Sequence, residues 1–222
     1  MRYIIVTGGP LPDDAADLIR SLSEETEDKV LIACDGGCDI LARHNIVPDL
    51  VVGDMDSISD KGLEFIKFND VFVETYPVEK DWTDTEIALG KAEDGEIFLV
   101  TPFSGRPDHT LANYQLILNL RSKGRKIVMT DGITYCYPLF GEDSVKIDLK
   151  PLKKPVAVSL VPWNFGEEVK GVTTKGLYYA LDNADLTAGS SFSFSNHPVD
   201  ENARIAVEIK AGRLLVIATI AD

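Results

Sequence analysis

The 222-residue sequence is poor in basic residues: 22 Lys and Arg stand against 36 Asp and Glu, a formal charge of −14 at pH 7. That balance argues against nucleic acid or an anionic membrane as the main partner. A polyanion such as a nucleotide would need local help from a metal ion or a few placed cations. Cysteine is scarce too. The three residues are odd in number, and Cys34 and Cys38 lack a common zinc spacing; free thiols in a reducing cytosol are the simplest account. No apolar stretch approaches the ~20 residues of a membrane span. The opening "MRYIIVTGGP" turns at Gly8-Gly9 too early for a signal peptide and reads as a first strand. Internal repeats and low-complexity segments are missing as well. A cytoplasmic globular protein is expected.

What is present describes an ordinary core: 45% of residues are hydrophobic and mean hydropathy is near zero. The length suits one large domain or two modest ones. Short β-branched runs recur, each followed by a helix-like stretch. "RYIIVTGG" precedes "DDAADLIRSLSEE", "KVLIACDGG" precedes "CDILARHN", and "DLVVGDMDS" precedes "SDKGLEFIKF". Further on, "EIFLVTPFSG" precedes "DHTLANYQLILNLRSKG", and "KIVMTDG" follows. Near-continuous apolar strands alternating with amphipathic helices predict an α/β domain over residues 1–141, a mostly parallel sheet with helices on both faces. From about Phe140 the pattern becomes short strands with Gly, Asn and Pro turns: "SVKIDLK", "VAVSLVPW", "EVKGVTTKGLYYAL", "SSFSFSN" and "RIAVEIKAGRLLVIATIA". A compact all-β domain over 142–222 is predicted, with "KAGRLL" as a hairpin turn.

In open α/β sheets ligands collect outside the carboxyl ends of the strands, and "CDGG", "GDMDS" and "FSGRPDH" all fall there. Asp54 and Asp56 stand one residue apart. Two like charges ~4 Å apart cost roughly 1 kcal/mol in bulk water and about 4 kcal/mol at an effective dielectric near 20. A shared hard cation would remove that cost, because residues i and i+2 of an extended segment point the same way. The structural alternative is a solvated turn in which Asp54 and Ser57 cap the next helix. "EKDWTDTE" adds Asp81 and Asp84, although Thr83 to Glu86 also fits the capping box of a helix through "IALGKA". A helix N-terminus in turn favours phosphate.

In "CDGGCD" two glycines follow Asp35, serving either a sharp turn or close approach to a ligand. In "SGRPDHTLAN", Arg106 can fork onto phosphate oxygens. Asp108 caps the next helix or binds ligand, and His109 donates to phosphate or merely packs. His44 and His197 have nothing comparable around them and read as surface or structural residues. Together these segments set carboxylates, glycines and one arginine along one edge of a parallel sheet, which suits a magnesium-bound polyphosphate.

The order of the motifs resembles the thiamine pyrophosphokinases. The resemblance runs through "ACDGGCDIL", "VPDLVVGDMDSI", "EKDWTDTEIAL", "GRPDHTLAN", "VSLVP", "VTTKGLYYAL" and "FSFSN", nearly the whole chain. It implies a nucleotide-binding α/β domain, a smaller all-β sandwich domain, and a homodimer with thiamine bound between subunits. It also implies the reaction: ATP gives its terminal pyrophosphoryl unit to the hydroxyethyl group of thiamine, leaving AMP. Carried onto matching positions, it makes Asp54, Asp56 and Asp84 the Mg²⁺ ligands. Asp35, Gly36, Gly37, Asp54, Ser57, Thr83, Arg106 and His109 would bind the nucleotide, with Asp84, Arg106 and Asp108 catalytic. Lys80 and Asp81 would lie beside the acceptor, Tyr179 would pack on thiamine, and Ser195 and Asn196 would contact its pyrimidine from the other subunit. The sequence departs from the family pattern at Pro102, Phe103 and Ser104, where more glycine is usual, at Asp39, where Asn is frequent, and at Lys80, where an uncharged residue is common.

In-line attack of an alcohol on the β-phosphorus needs positioning and charge neutralisation more than covalent chemistry. Asp84 or Asp108 would accept the alcohol's proton, and an acidic pocket suits the cationic thiazolium. The rival enzyme is another Mg²⁺-dependent phospho-, nucleotidyl- or glycosyl-transferase acting on a different alcohol, such as a pterin. Products separate most of these, free AMP standing against pyrophosphate or a nucleoside diphosphate. A binding module without catalysis would lack carboxylates at 54, 56 and 84, and all three are present.

Overall fold

The computed structural model describes residues 1–148, 156–200 and 203–220. They divide into two compact units, Met1–Leu116 with Arg125–Ile133, and Ile117–Gly124 with the chain from Thr134 onward.

In the first unit, β1 (Arg2–Val6), β2 (Lys29–Cys34), β3 (Leu50–Gly53), β4 (Phe72–Thr75), β5 (Glu96–Val100) and β6 (Lys126–Thr130) pair in parallel in the order β4-β3-β2-β1-β5-β6. The helices between them are α1 (Asp13–Glu24), α2 (Gly37–Arg43), α3 (Asp60–Phe68), α4 (Asp84–Lys91) and α5 (Pro107–Ser122). Alternation along each strand feeds both faces. Ile4 and Val6 share a core with Ile19 of α1, Leu41 of α2 and Ile66 of α3. Ile5 and Ile32, one residue out of phase, are equally buried on the face where α4 lies against β1, β2 and β3. Burial on both faces is why these strands read as unbroken apolar runs. The edge strand β4 is exposed at Phe72 and Thr75, and its apolar signal is correspondingly thin. α4 begins as the capping box requires, with Thr83 Oγ1 accepting from the Glu86 N–H at 3.2 Å.

In the second unit, β7 (Thr134–Phe140), β9 (Val156–Pro162) and β13 (Arg213–Ile220) pair antiparallel in the order β7-β13-β9. β8 (Asp143–Asp148), β10 (Glu168–Lys175), β11 (Ala184–Thr187) and β12 (Arg204–Ile209) form a second antiparallel sheet, β11-β10-β12-β8. Leu139, Val158, Leu160 and Val216 from the first sheet share one core with Ile147, Val172, Ile205 and Val207 from the second. This is the expected all-β sandwich.

Two local expectations are corrected. "KAGRLL" is no hairpin: β12 pairs with β8 and β10 while β13 pairs with β7 and β9, so the turn carries the chain from one sheet to the other. Gly212 makes the crossing at φ +106°, where an added Cβ would meet Val169 Cα at 2.8 Å; only glycine fits. "SSFSFSN" alternates like a strand but is a loop lying along β9. The Leu160 N–H donates to Ser193 O, Val158 N–H to Asn196 O, and Ser195 takes φ +56° between them.

Candidate active site

The loops after β1, β2, β3, β4 and β5 and the start of α4 enclose a cleft of about 1320 Å³ at the carboxyl ends of the parallel strands. Asp35 and Asp54 are the first residues after the adjacent strands β2 and β3, and Asp84 opens α4. A carboxylate oxygen from each of these three lies within 4.8 Å of the others. Asp35 is buried in a left-handed conformation, φ +43°. Its backbone is pressed so closely on β3 that a Cβ at Gly53 would sit 2.9 Å from Asp35 Cβ. Its Oδ1 is enclosed without a hydrogen-bond partner.

The Asp54-Met55-Asp56 segment is not extended, contrary to the sequence reading. β3 ends at Gly53, Met55 takes φ +69°, and the Asp56 N–H turns back onto Asp54 Oδ1 at 3.3 Å. Asp56 lines the cleft but lies outside the convergent group, its Oδ1 accepting from Ser57 Oγ at 2.8 Å. The residue that reaches into the acidic group is Lys80. Its Nζ donates to Asp54 Oδ2 at 3.2 Å and to the Pro77 carbonyl at 3.1 Å. It lies 3.2 Å from Asp84 Oδ1, without the alignment of a hydrogen bond.

Gly36, Ser57, Thr83, Arg106 and His109 also line the cleft. Gly37 is buried behind it: a Cβ there would stand 2.2 Å from the Val6 carbonyl oxygen, so the residue is required for α2 to pack on β1. Arg106 forks onto Asp108, Nη2 to Oδ2 at 2.6 Å and Nε to Oδ1 at 3.2 Å, both side chains well exposed. Asp81 is exposed and off the cleft wall. In the second unit Asn196 is buried, its Oδ1 accepting from the N–H groups of Tyr179 (3.1 Å) and His197 (2.9 Å) while its Nδ2 donates to the Tyr179 carbonyl (2.8 Å). Tyr179 is thereby held out in the open beside Tyr178, which stacks on His197 at 4.8 Å. Ser195 is exposed, its N–H donating to Ser159 Oγ.

Comparison with known proteins adds a family to this geometry. Residues 23–129 match the sequence profile described as "Thiamin pyrophosphokinase, catalytic domain", and residues 144–214 match "Thiamin pyrophosphokinase, vitamin B1 binding domain". The chain belongs to the thiamine pyrophosphokinase family. The thiamine pyrophosphokinase of Bacillus subtilis is 30% identical over 217 residues, 96% of each chain. The crystal structure of thiamine pyrophosphokinase from Bacillus subtilis superposes with a TM-score of 0.79 at 27% identity, with both chains fully covered. The Geobacillus thermodenitrificans thiamin pyrophosphokinase structure does so at 0.74 and 29%, covering 100% of this chain and 98% of that one.

In this member of the thiamine pyrophosphokinase family the cleft carboxylates are driven apart in acidity. Burial pushes Asp35 above the usual carboxylate range; Ser57 hydrogen bonds oppose this, and the charges of Asp54 and Asp56 add to it. Asp54 goes the other way. Desolvation works against its charge, but the Asp56 N–H and the Lys80 ammonium outweigh it. Lys80 is raised, since Asp84 and Asp54 overcome the desolvation of its ammonium. The Arg106 fork holds Asp108 low. Burial pushes up the Cys34, Cys38 and Cys136 thiols, Cys38 to about 12, which leaves them inert as nucleophiles.

Sequence reasoning missed two parts of the site. Asp35 stood only among the nucleotide contacts, not among the cation ligands, although "first residue after neighbouring strands" applies equally to it and Asp54. A buried network joins Thr7 Oγ1 to Thr101 Oγ1 (2.7 Å), which accepts from Asn113 Nδ2 (3.2 Å). Its signal was a Thr directly after β1, another directly after β5, and an Asn one helical turn beyond His109.

Proposed function

We propose that the chain transfers the terminal pyrophosphoryl unit of ATP to the hydroxyethyl group of thiamine, giving thiamine diphosphate and AMP. The convergence of Asp35, Asp54 and Asp84 in a cleft shared with Arg106 and His109 carries this reading, in a chain whose second part matches a vitamin B1 binding domain. A hard divalent cation such as Mg²⁺ fits the group. The donors are carboxylate oxygens, Asp35 Oδ1 is buried without a partner, and an ammonium already lies between two of the acids. Asp35, Asp54 and Asp84 would hold it, with Asp56 a further carboxylate on the same wall. Once bound, Mg²⁺ would supply charge neutralisation on the phosphates and fix their orientation.

The chain's own groups do the rest. Arg106 releases Asp108 and forks onto phosphate oxygens, while Thr83 and the first N–H groups of α4 face the same anion. Freed of Arg106, Asp108 regains basicity and accepts the hydroxyl proton. Asp84, the other acceptor, would be engaged by the bound cation, which favours Asp108 in this role. Thr7, Thr101 and Asn113 brace the strand ends and α5 beneath them. Thiamine is received on the Tyr179 and Ser195 surface, held by Asn196, within a homodimer; the exposed Tyr178, Tyr179, Phe192 and Phe194 support such an interface. Three buried free thiols support a reducing, cytoplasmic setting, and among the described residues no helix is long and apolar enough to cross a membrane.

The test is to incubate the protein with ATP, Mg²⁺ and thiamine and to separate AMP, ADP and thiamine diphosphate. AMP and thiamine diphosphate in equal amounts are expected; ADP as the sole nucleotide product overturns the reaction.

A further inference from the structure

Lys80 is an unusual resident for a cation site. An ammonium has three donors, and this one faces three oxygens: Asp54 Oδ2 at 3.2 Å, the Pro77 carbonyl at 3.1 Å and Asp84 Oδ1 at 3.2 Å. The pair partners are largely enclosed, with side-chain exposures of 12% for Lys80, 11% for Asp54 and 22% for Asp84. Two of the three acids that would hold a divalent ion therefore already share one positive charge built into the chain. Lys80 belongs to the loop between β4 and α4, outside regular hydrogen-bonded structure, and its four-carbon stem lets the ammonium swing without moving that loop.

We propose that Lys80 is the resident counter-cation of the acidic group, a positioning residue with two settings. Without ligands it holds Asp54 and Asp84 together and competes with a divalent ion for them. When a metal-bound nucleotide arrives, the ammonium leaves those carboxylates for the phosphate oxygens. The metal and the nucleotide thus bind cooperatively, because the nucleotide supplies the anion that accepts the displaced charge. This rests on the reading of the cleft as a site for metal and ATP, and it adds the order of events: metal alone binds weakly, and metal with nucleotide binds well.

The test is a Mn²⁺ titration of the full-length protein, following free Mn²⁺ by electron paramagnetic resonance, with and without a non-hydrolysable ATP analogue. Without the analogue, Lys80→Gln is expected to bind Mn²⁺ at least roughly tenfold more tightly than the native protein, since a like charge in contact with the ligands has gone. Lys80→Arg, which keeps the charge, stays within about threefold of native. The analogue raises Mn²⁺ affinity in the native protein by more than in Lys80→Gln, and by reciprocity Mn²⁺ raises analogue affinity by the same factor. Thermal unfolding shows that the variant is folded: Lys80→Gln melts below native in chelator, and Mn²⁺ raises it by more than it raises native. Equal Mn²⁺ affinity in native and Lys80→Gln, in a protein that forms thiamine diphosphate, overturns the role of Lys80 alone. Failure of Mn²⁺ to bind native protein even with the analogue, or absence of thiamine diphosphate, overturns the underlying site and the role with it.

Discussion

Asp35 in the cleft and Asn196 in the sandwich are almost equally buried, 8% and 7% exposed, yet their polar atoms are treated in opposite ways. Asn196 has its oxygen and nitrogen both engaged by backbone groups of Tyr179 and His197. Asp35 is left with an enclosed oxygen that bonds to nothing, beside two more acids. A buried polar group normally finds partners because an unmet one costs roughly 1–3 kcal/mol. The sandwich follows that rule and uses its buried amide to fix the backbone beside Tyr179. The cleft departs from it at Asp35, as the proposed cation site would require.

The sharpest way to break this contrast is to remove the acids. Asp54→Ala is expected to lower kcat/KM by on the order of 10²–10³-fold with an unchanged far-UV circular dichroism spectrum. Asp56→Ala, whose carboxylate lies outside the convergent group, is expected to lose less. Equal losses would put Asp56 among the cation ligands and redraw the group.

On the sandwich side, Asn196→Ala removes three hydrogen bonds to backbone and is expected to destabilise the protein by about 1–3 kcal/mol, read as a lower unfolding temperature. It should raise KM for thiamine more than KM for ATP. An unchanged thiamine KM would detach Tyr179 from the substrate.

Asp35→Asn is expected to have the reverse sign on stability, raising the unfolding temperature at pH 7 while activity falls. The folded pKa of Asp35 is raised, so its charge costs stability above that raised value. The cost fades below the ordinary unfolded value near 3.9. The advantage of the variant should accordingly shrink as pH drops toward 4.

Asp143 of the second unit supplies the mirror case. Desolvation works against its charge, but Arg121 and the N–H groups of Phe140 and Ser144 hold it low. Its contribution is present above about pH 3.9 and lost as pH falls through the depressed folded value. Asp143→Asn should therefore be less stable than native at pH 7 and converge with it in acid. The smallest effect belongs to Arg106→Lys, whose fork to Asp108 is exposed: unfolding temperature unchanged within error, kcat reduced.

Much of this contrast was legible in the sequence, and the parts that were not have physical causes. The parallel sheet announced itself because strands such as "IIV" and "LIA" are buried on both faces, and the Thr83 cap because a hydroxyl three residues before an acid acts locally. The sandwich turn at Gly212 was misjudged because a glycine between two strands looks the same whether the chain doubles back or crosses between sheets. What decides is the proximity of Val169, some forty residues earlier in sequence. "SSFSFSN" alternates as a strand would, but its hydroxyls and the φ +56° of Ser195 satisfy the neighbouring strand from a loop. The acid pair at 54 and 56 drew attention by adjacency, while the true neighbour of Asp54 is Asp35, nineteen positions back and brought alongside only when β2 and β3 pair. Lys80 was visible as a departure from a family habit, but its place between two acids is a tertiary fact.

Gly37 leaves no space for even a methyl group against the Val6 carbonyl, so the wall that carries Asp35 cannot yield without dislodging a helix from the sheet. Random mutagenesis aimed at reshaping this cleft will find that side barren.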